Sequence, residues 1–147
     1  MPSQIPSPAF TLSNPAGLYD PTDNAYSHVA QVPLNARIVH LAGQGGQDRE
    51  GYLAPGFAEQ VRQTLANVEI GLAAAGATLN DVYKLTILVV DHSESRLAEW
   101  ATEAKRAWGS HLPTGTLIAV PRLALDGMLV EVEAIAALPA VQGSMRS

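Results

Sequence analysis

The chain has 147 residues, nine Lys and Arg against fourteen Asp and Glu, a formal net charge of −5, and no cysteine. That length predicts one domain able to bury its own core, and the missing cysteines exclude disulfides, thiolate metal sites and thiol nucleophiles, which fits a cytoplasmic protein. No basic cluster, no stretch near the roughly 20 apolar residues of a membrane span, and no charged start with an apolar run in MPSQIPSPAF are present, so neither nucleic acid nor a membrane is an expected partner.

Residues 1–25 hold five of the ten prolines, which predicts an extended arm before a body at 26–137 and a tail at 138–147. Tyr26 to Val32 reads as a first strand. After the turn Pro33-Leu34-Asn35-Ala36, a second runs from Arg37 to Ala42, and the two are expected to pair as a hairpin. Gly43-Gln44-Gly45-Gly46-Gln47-Asp48 reads as a loop, since it lacks the lysine ending of a phosphate-binding loop and the spacing of a dinucleotide turn. Phe57, Val61, Leu65, Val68 and Leu72 share one helical face, with Pro55 suited to the start and Gly76 to the end.

A buried strand is expected from Val82 to Val90, apolar on both faces. Ser93 can cap a second helix running to about Trp108, with Leu97, Trp100, Ala104 and Trp108 facing the core. Leu117 to Val120 forms a strand entered through Pro113-Thr114-Gly115-Thr116, and a turn at Leu125-Asp126-Gly127 leads to a last strand, Met128 to Ala137. In that strand Val130, Val132, Ala134 and Ala136 point one way, suited to lie under helices. Leu129, Glu131, Glu133 and Ile135 point the other way. Two helices on one face leave the other sheet face for water or a second copy, and its mixed apolar character favours the copy.

Segments in this order resemble the RidA family, also called YjgF or L-PSP. They are Ala25 to Ala30, Leu41-Ala42-Gly43-Gln44, Gln63 to Gly76, Asp81 to Thr86, Pro113 to Val120, Arg122-Leu123 and Val130 to Ala136. The resemblance implies an α/β (α+β) chorismate-mutase-like fold: a mixed sheet with two helices on one face, sheets packed in a homotrimer, and small-molecule clefts between subunits. It further implies hydrolysis of reactive 2-imino or 2-enamino acids to 2-keto acids and ammonia, with no metal and no cofactor.

Family members place an arginine that grips the substrate carboxylate where Gly115 stands, so the resemblance implies a missing anchor. It also assigns Glu131 as the residue that handles water, with Glu133 two residues away as the alternative. Tyr26 then becomes a pocket tyrosine, although an interface aromatic with a satisfied hydroxyl is the plain alternative. Thr116 can donate beside the vacant slot, Gly43 lets a ligand approach the backbone, and His28, two residues past Tyr26, lies on the same strand side. None of the four histidines has metal-site spacing. Arg122 is expected in a structural ion pair. Three functions follow: a hydrolase of a small reactive nitrogen metabolite that is poor on 2-imino acids, a non-catalytic trimer binding a small molecule, and, against the charge balance, RNA cleavage.

Overall fold

The computed structural model describes residues 8–141. Strands β1 (Thr11–Ser13) and β2 (Val29–Gln31) precede β3 (Arg37–Gly45), α1 (Phe57–Ala74), β4 (Val82–Val90), α2 (Glu94–Trp108), β5 (Thr114–Val120) and β6 (Val130–Leu138). The main sheet has the order β3-β6-β4-β5, with β6 antiparallel to both neighbours and β4 parallel to β5. It is therefore a mixed sheet, as expected. No helix is long and apolar enough to cross a membrane among the described residues.

Both helices cover one face. Phe57, Val61, Leu65, Val68 and Leu72 of α1 and Trp100, Ala104 and Trp108 of α2 join one core with Leu85, Ile87 and Val89 of β4 and Val130, Val132, Ala134 and Ala136 of β6. The two directions read from β6 are thus realised: the first set is fully buried, while Glu131 and Ile135 are half-buried and Glu133 exposed on the other face. Trp108 is satisfied as well as packed, its Nε1 donating to the Leu79 carbonyl at 2.8 Å.

Capping chemistry sets the helix ends. Ser93 accepts from the Arg96 amide at 3.1 Å to start α2. At the end of α1, Gly76 has φ +77 and the Ala77 amide reaches back to the Leu72 carbonyl, a closure that needs the left-handed glycine. Pro55 stands before the N-cap Gly56 rather than inside the first turn.

The first two expected strands do not form a hairpin. β2 is only three residues long and pairs antiparallel with β1, a strand the arm was not expected to contain, while β3 pairs with β6. Residues 8–25 lie on the body. Phe10 is buried against Tyr83 and His111, with ring centroids 5.7 and 5.5 Å away.

β3 also runs through the stretch read as a glycine loop, reaching Gly45 after an irregularity between Leu41 and Gln44. Its end is held from α1: Asn67 Nδ2 donates to the carbonyl of Gly45 and to that of Gln47, just past the strand, at 2.9 and 2.8 Å. Glycine is required at the next position because a Cβ on Gly46 would stand 2.9 Å from the Gln60 backbone. β6 extends one residue past the expected body, to a buried Leu138. Residues 1–7 of the arm and 142–147 of the tail lie outside the described residues.

Candidate functional site

The entrance to β5 is stitched to the segment that directly follows the arm. The Ser27 amide donates to the Pro113 carbonyl at 3.0 Å and its hydroxyl to the Leu112 carbonyl at 2.5 Å, while Ser27 bridges Thr114 in parallel. Ala25, two residues before Ser27, adopts φ +62. This turn delivers Tyr26 beside Gly115, whose missing Cβ would sit 3.8 Å from the Tyr26 Cβ, 4.0 Å from the Leu85 Cβ and 3.4 Å from Ile87 Cδ1.

Between that strand entrance and α2 lies a pocket of about 230 Å³. Its walls are Leu85, Ile87, Leu97, Trp100 and Leu117, with Pro113 and Gly115 at the β5 entrance, Tyr19, Asn24 and Ala25 supplied by the arm, and Tyr26 directly after it. None of these residues is charged. The Tyr19 and Tyr26 hydroxyls are hydrogen-bonded to each other. That bond, together with burial, pushes the Tyr26 hydroxyl up to about 12.

His28 touches both tyrosines edge-on, 5.3 Å from each ring centroid. Its Nε2 donates to the Tyr19 carbonyl at 2.8 Å, and its amide donates to Asn14 Oδ1 at 2.8 Å. It braces Tyr19 and is not among the residues lining the pocket.

A second grouping lies on the opposite face of the sheet. Glu131 pairs with Leu88 on β4 and its carboxylate lies over Gly43, where a Cβ would collide with Oε1 and stand 2.9 Å from the carboxyl carbon. Gly43 therefore makes room for the acid rather than standing free. Glu133 points the same way and is exposed, in the row Glu133–Thr86–Thr116. Thr116 is exposed on this outer face, two strand spacings, or roughly 10 Å, from Glu133.

One protomer thus brings together Tyr26 with Gly115, and Glu131 with Gly43. It does not bring the two pairs together. Arg122 is occupied by Asp126 at 2.9 Å and by the Leu123 carbonyl at 3.2 Å, within the β5–β6 turn. Among the described residues no three of His, Asp and Glu gather as a metal site requires.

Tyr19 was missed from sequence because it sits in the proline-rich arm. Asp20, whose side chain accepts from the Thr22 amide and hydroxyl at 3.0 and 2.6 Å, is the signal that could have marked an ordered turn there. Trp100 was read as core, which it is, but it also forms one wall of the pocket.

A sequence model described as endoribonuclease L-PSP matches residues 20–138. A RutC family protein of Pyrococcus horikoshii is 36% identical over 120 residues, covering 78% of this chain and 93% of its own. A 2-iminobutanoate/2-iminopropanoate deaminase of Bos taurus is 34% identical over 118 residues, covering 79% of this chain and 81% of its own. Among solved structures, a Rid-family protein of Yersinia pestis superposes with a TM-score of 0.83 at 33% identity, over 88% of this chain and 99% of its own. With the model spanning most of the body and the relatives aligned over most of both lengths, the chain belongs to the RidA/YjgF/L-PSP family.

Proposed function

We propose that this chain is a RidA-type hydrolase of a small uncharged imine or enamine, working in a cleft completed by another subunit of a homotrimer, and poor at 2-imino acids. The observation that carries the reading is the uncharged lining of the pocket beside Gly115. The relatives named as 2-imino acid deaminases support the reaction type. The resemblance implies that an arginine stands at the Gly115 position in members that bind a carboxylate.

In the proposed reaction Glu131 takes a proton from water as the water oxygen bonds to the imine carbon. The imine nitrogen takes that proton to become the amine of a carbinolamine. The carbinolamine hydroxyl then gives up its proton as the carbonyl forms, the nitrogen takes this second proton, the carbon–nitrogen bond breaks, and ammonia leaves. Gly43 gives the carboxylate its room.

An arginine supplies charge-assisted hydrogen bonds of roughly 1.5–3 kcal/mol each. Losing two of them slows a 2-imino acid by about two to four orders of magnitude. Release of carbonyl product and ammonia is to be followed from freshly generated imines, with and without a carboxylate, beside an arginine-bearing relative. Hydrolysis of the neutral imines with slow turnover of iminoacrylate is expected, and Gly115→Arg is expected to gain iminoacrylate activity. Iminoacrylate turnover equal to that of the relative overturns the reading.

The separation of Glu131 from Gly115 across the sheet favours a second reading, a trimer that binds a small molecule without turning it over. Ligand-induced stabilisation with no product from any imine would select it. RNA cleavage is disfavoured by the net charge of −5, and tight salt-sensitive RNA binding would restore it.

A further inference from the structure

Tyr19 comes from the arm, is 60% exposed, and is nevertheless held at four points. Its hydroxyl bonds Tyr26, its carbonyl accepts from His28, its ring meets the edges of both, and the Asp20–Thr22 turn follows it directly. An exposed tyrosine so fixed at the mouth of an apolar pocket has a job beyond packing. We propose that the pocket takes an uncharged ligand with a single-ring apolar body and one hydrogen-bonding group, and that Tyr19 is the residue that selects for that group. This names the ligand class for the pocket invoked above and rests on that reading only in using the same pocket.

Size and chemistry argue for the body. A dry apolar cavity of about 150 Å³ accommodates benzene. This pocket has about 230 Å³, walled by Leu85, Ile87, Leu97, Trp100 and Leu117, so one ring and a short substituent fill it. At the mouth each phenol can donate once and accept twice. The bond between them uses one donor and one acceptor, leaving one proton and several lone pairs for a ligand. The Tyr26 hydroxyl, pushed up to about 12, keeps its proton at neutral pH. A carboxylate would have to shed its water in a site without a cation, where only neutral donors, one phenol proton and the Asn24 amide, replace that water, and neutral donors do not compensate for it.

The test is binding to the full chain, read by calorimetry and by the methyl signals of Ile87 and Leu97, with benzyl alcohol, toluene and benzoate as probes. Benzyl alcohol is expected to bind at least about tenfold more tightly than benzoate. Tyr19→Phe should weaken benzyl alcohol by about two- to tenfold while leaving toluene unchanged, a split that a merely structural role would not produce. Gly115→Leu should abolish binding of both neutral probes with the melting temperature retained.

Benzoate binding as tightly as benzyl alcohol, equal effects of Tyr19→Phe on alcohol and toluene, or retained binding in folded Gly115→Leu each overturn the inference. Because no turnover is measured, probe binding in that order without imine hydrolysis refutes the hydrolase reading alone. Hydrolysis of neutral imines with the order reversed refutes this inference alone.

Discussion

If Gly115 is there to leave space, replacing it with alanine should make the protein more stable. Gly115 has no positive φ, so an alanine fits its backbone. The added methyl would meet Ile87 Cδ1, Tyr26 Cβ and Leu85 Cβ at 3.4, 3.8 and 4.0 Å, all ordinary contact distances. Removing a glycine at a compatible position stabilises by about 0.4–1 kcal/mol through the unfolded chain. Three new carbon contacts contribute about 0.1–0.2 kcal/mol each. Gly115→Ala should therefore gain about 0.7–1.6 kcal/mol, a rise of roughly 1–6 °C in melting temperature for a chain of this size. Melts at matched protein concentration measure it, since self-association shifts the midpoint. Gly46→Ala is the contrast, because its Cβ meets the Gln60 backbone at 2.9 Å and α1 must move. A loss of 1 kcal/mol or more in Gly115→Ala would refute the reasoning, for the slot would then be filled by the fold rather than kept open at the fold's expense.

Glu131→Gln should lower kcat on a neutral imine by at least about a hundredfold, with the melting temperature and probe binding unchanged. Gly43→Ala should reduce the same rate by displacing the Glu131 carboxylate, and full activity in it would sever the link between the two residues. Gln60→Leu should cost about 2–4 kcal/mol in urea unfolding. The buried amide donates to the Ala54 and Gly127 carbonyls and accepts from the Leu129 amide, and leucine orphans all three; a cost under 1 kcal/mol would contradict this. Of the four tyrosines, Tyr26 should ionise near 12 by ultraviolet titration, and Tyr19→Phe should bring it down toward 10. Because the native hydroxyl keeps its proton longer than the unfolded chain's, its contribution to stability is whole below pH 10 and is lost as pH rises from 10 to 12.

The elements legible in the sequence are those whose side chains report their own surroundings. The 3.6-residue spacing from Phe57 to Leu72 and the alternation from Leu129 to Ala136 each encode which side is buried, and the structure buries those sides. Pairings decided by distant chain were not legible. β2 joins β1 because Phe10 anchors the arm on Tyr83 and His111, and nothing local to Tyr26–Val32 reports that anchor. β3 continues through glycines because Asn67 and Gln60, on a helix more than a dozen residues on, hold and crowd that backbone. The site follows the same division. Gly115 beside Tyr26 and Glu131 over Gly43 are contacts across nearly 90 residues, and only the resemblance pointed to them. Tyr19, outside the matched segments, went unread.

The two halves of the proposed chemistry lie on opposite faces for a reason written in the register. Gly115 pairs with Leu85, which faces the helices, while Glu131 pairs with Leu88, three residues on and therefore on the other face. No side-chain rotation in one protomer carries a carboxylate through the sheet. Hydrolysis by this site thus demands that another copy supply the missing half. The outer face is suited to receive one: Ile38 and Ile118 are 40% and 44% exposed there, and Leu88 and Ile135 are only half covered. Mixing inactive Gly115→Leu and Glu131→Gln chains after joint unfolding tests that demand. If each site takes its pocket from one subunit and its acid from the next, about a quarter of the sites in randomly mixed closed oligomers regain both. Activity should return to about that fraction. If mixing restores nothing while each variant still assembles, Glu131 and the Gly115 pocket do not belong to one site, and the pocket is left with binding alone.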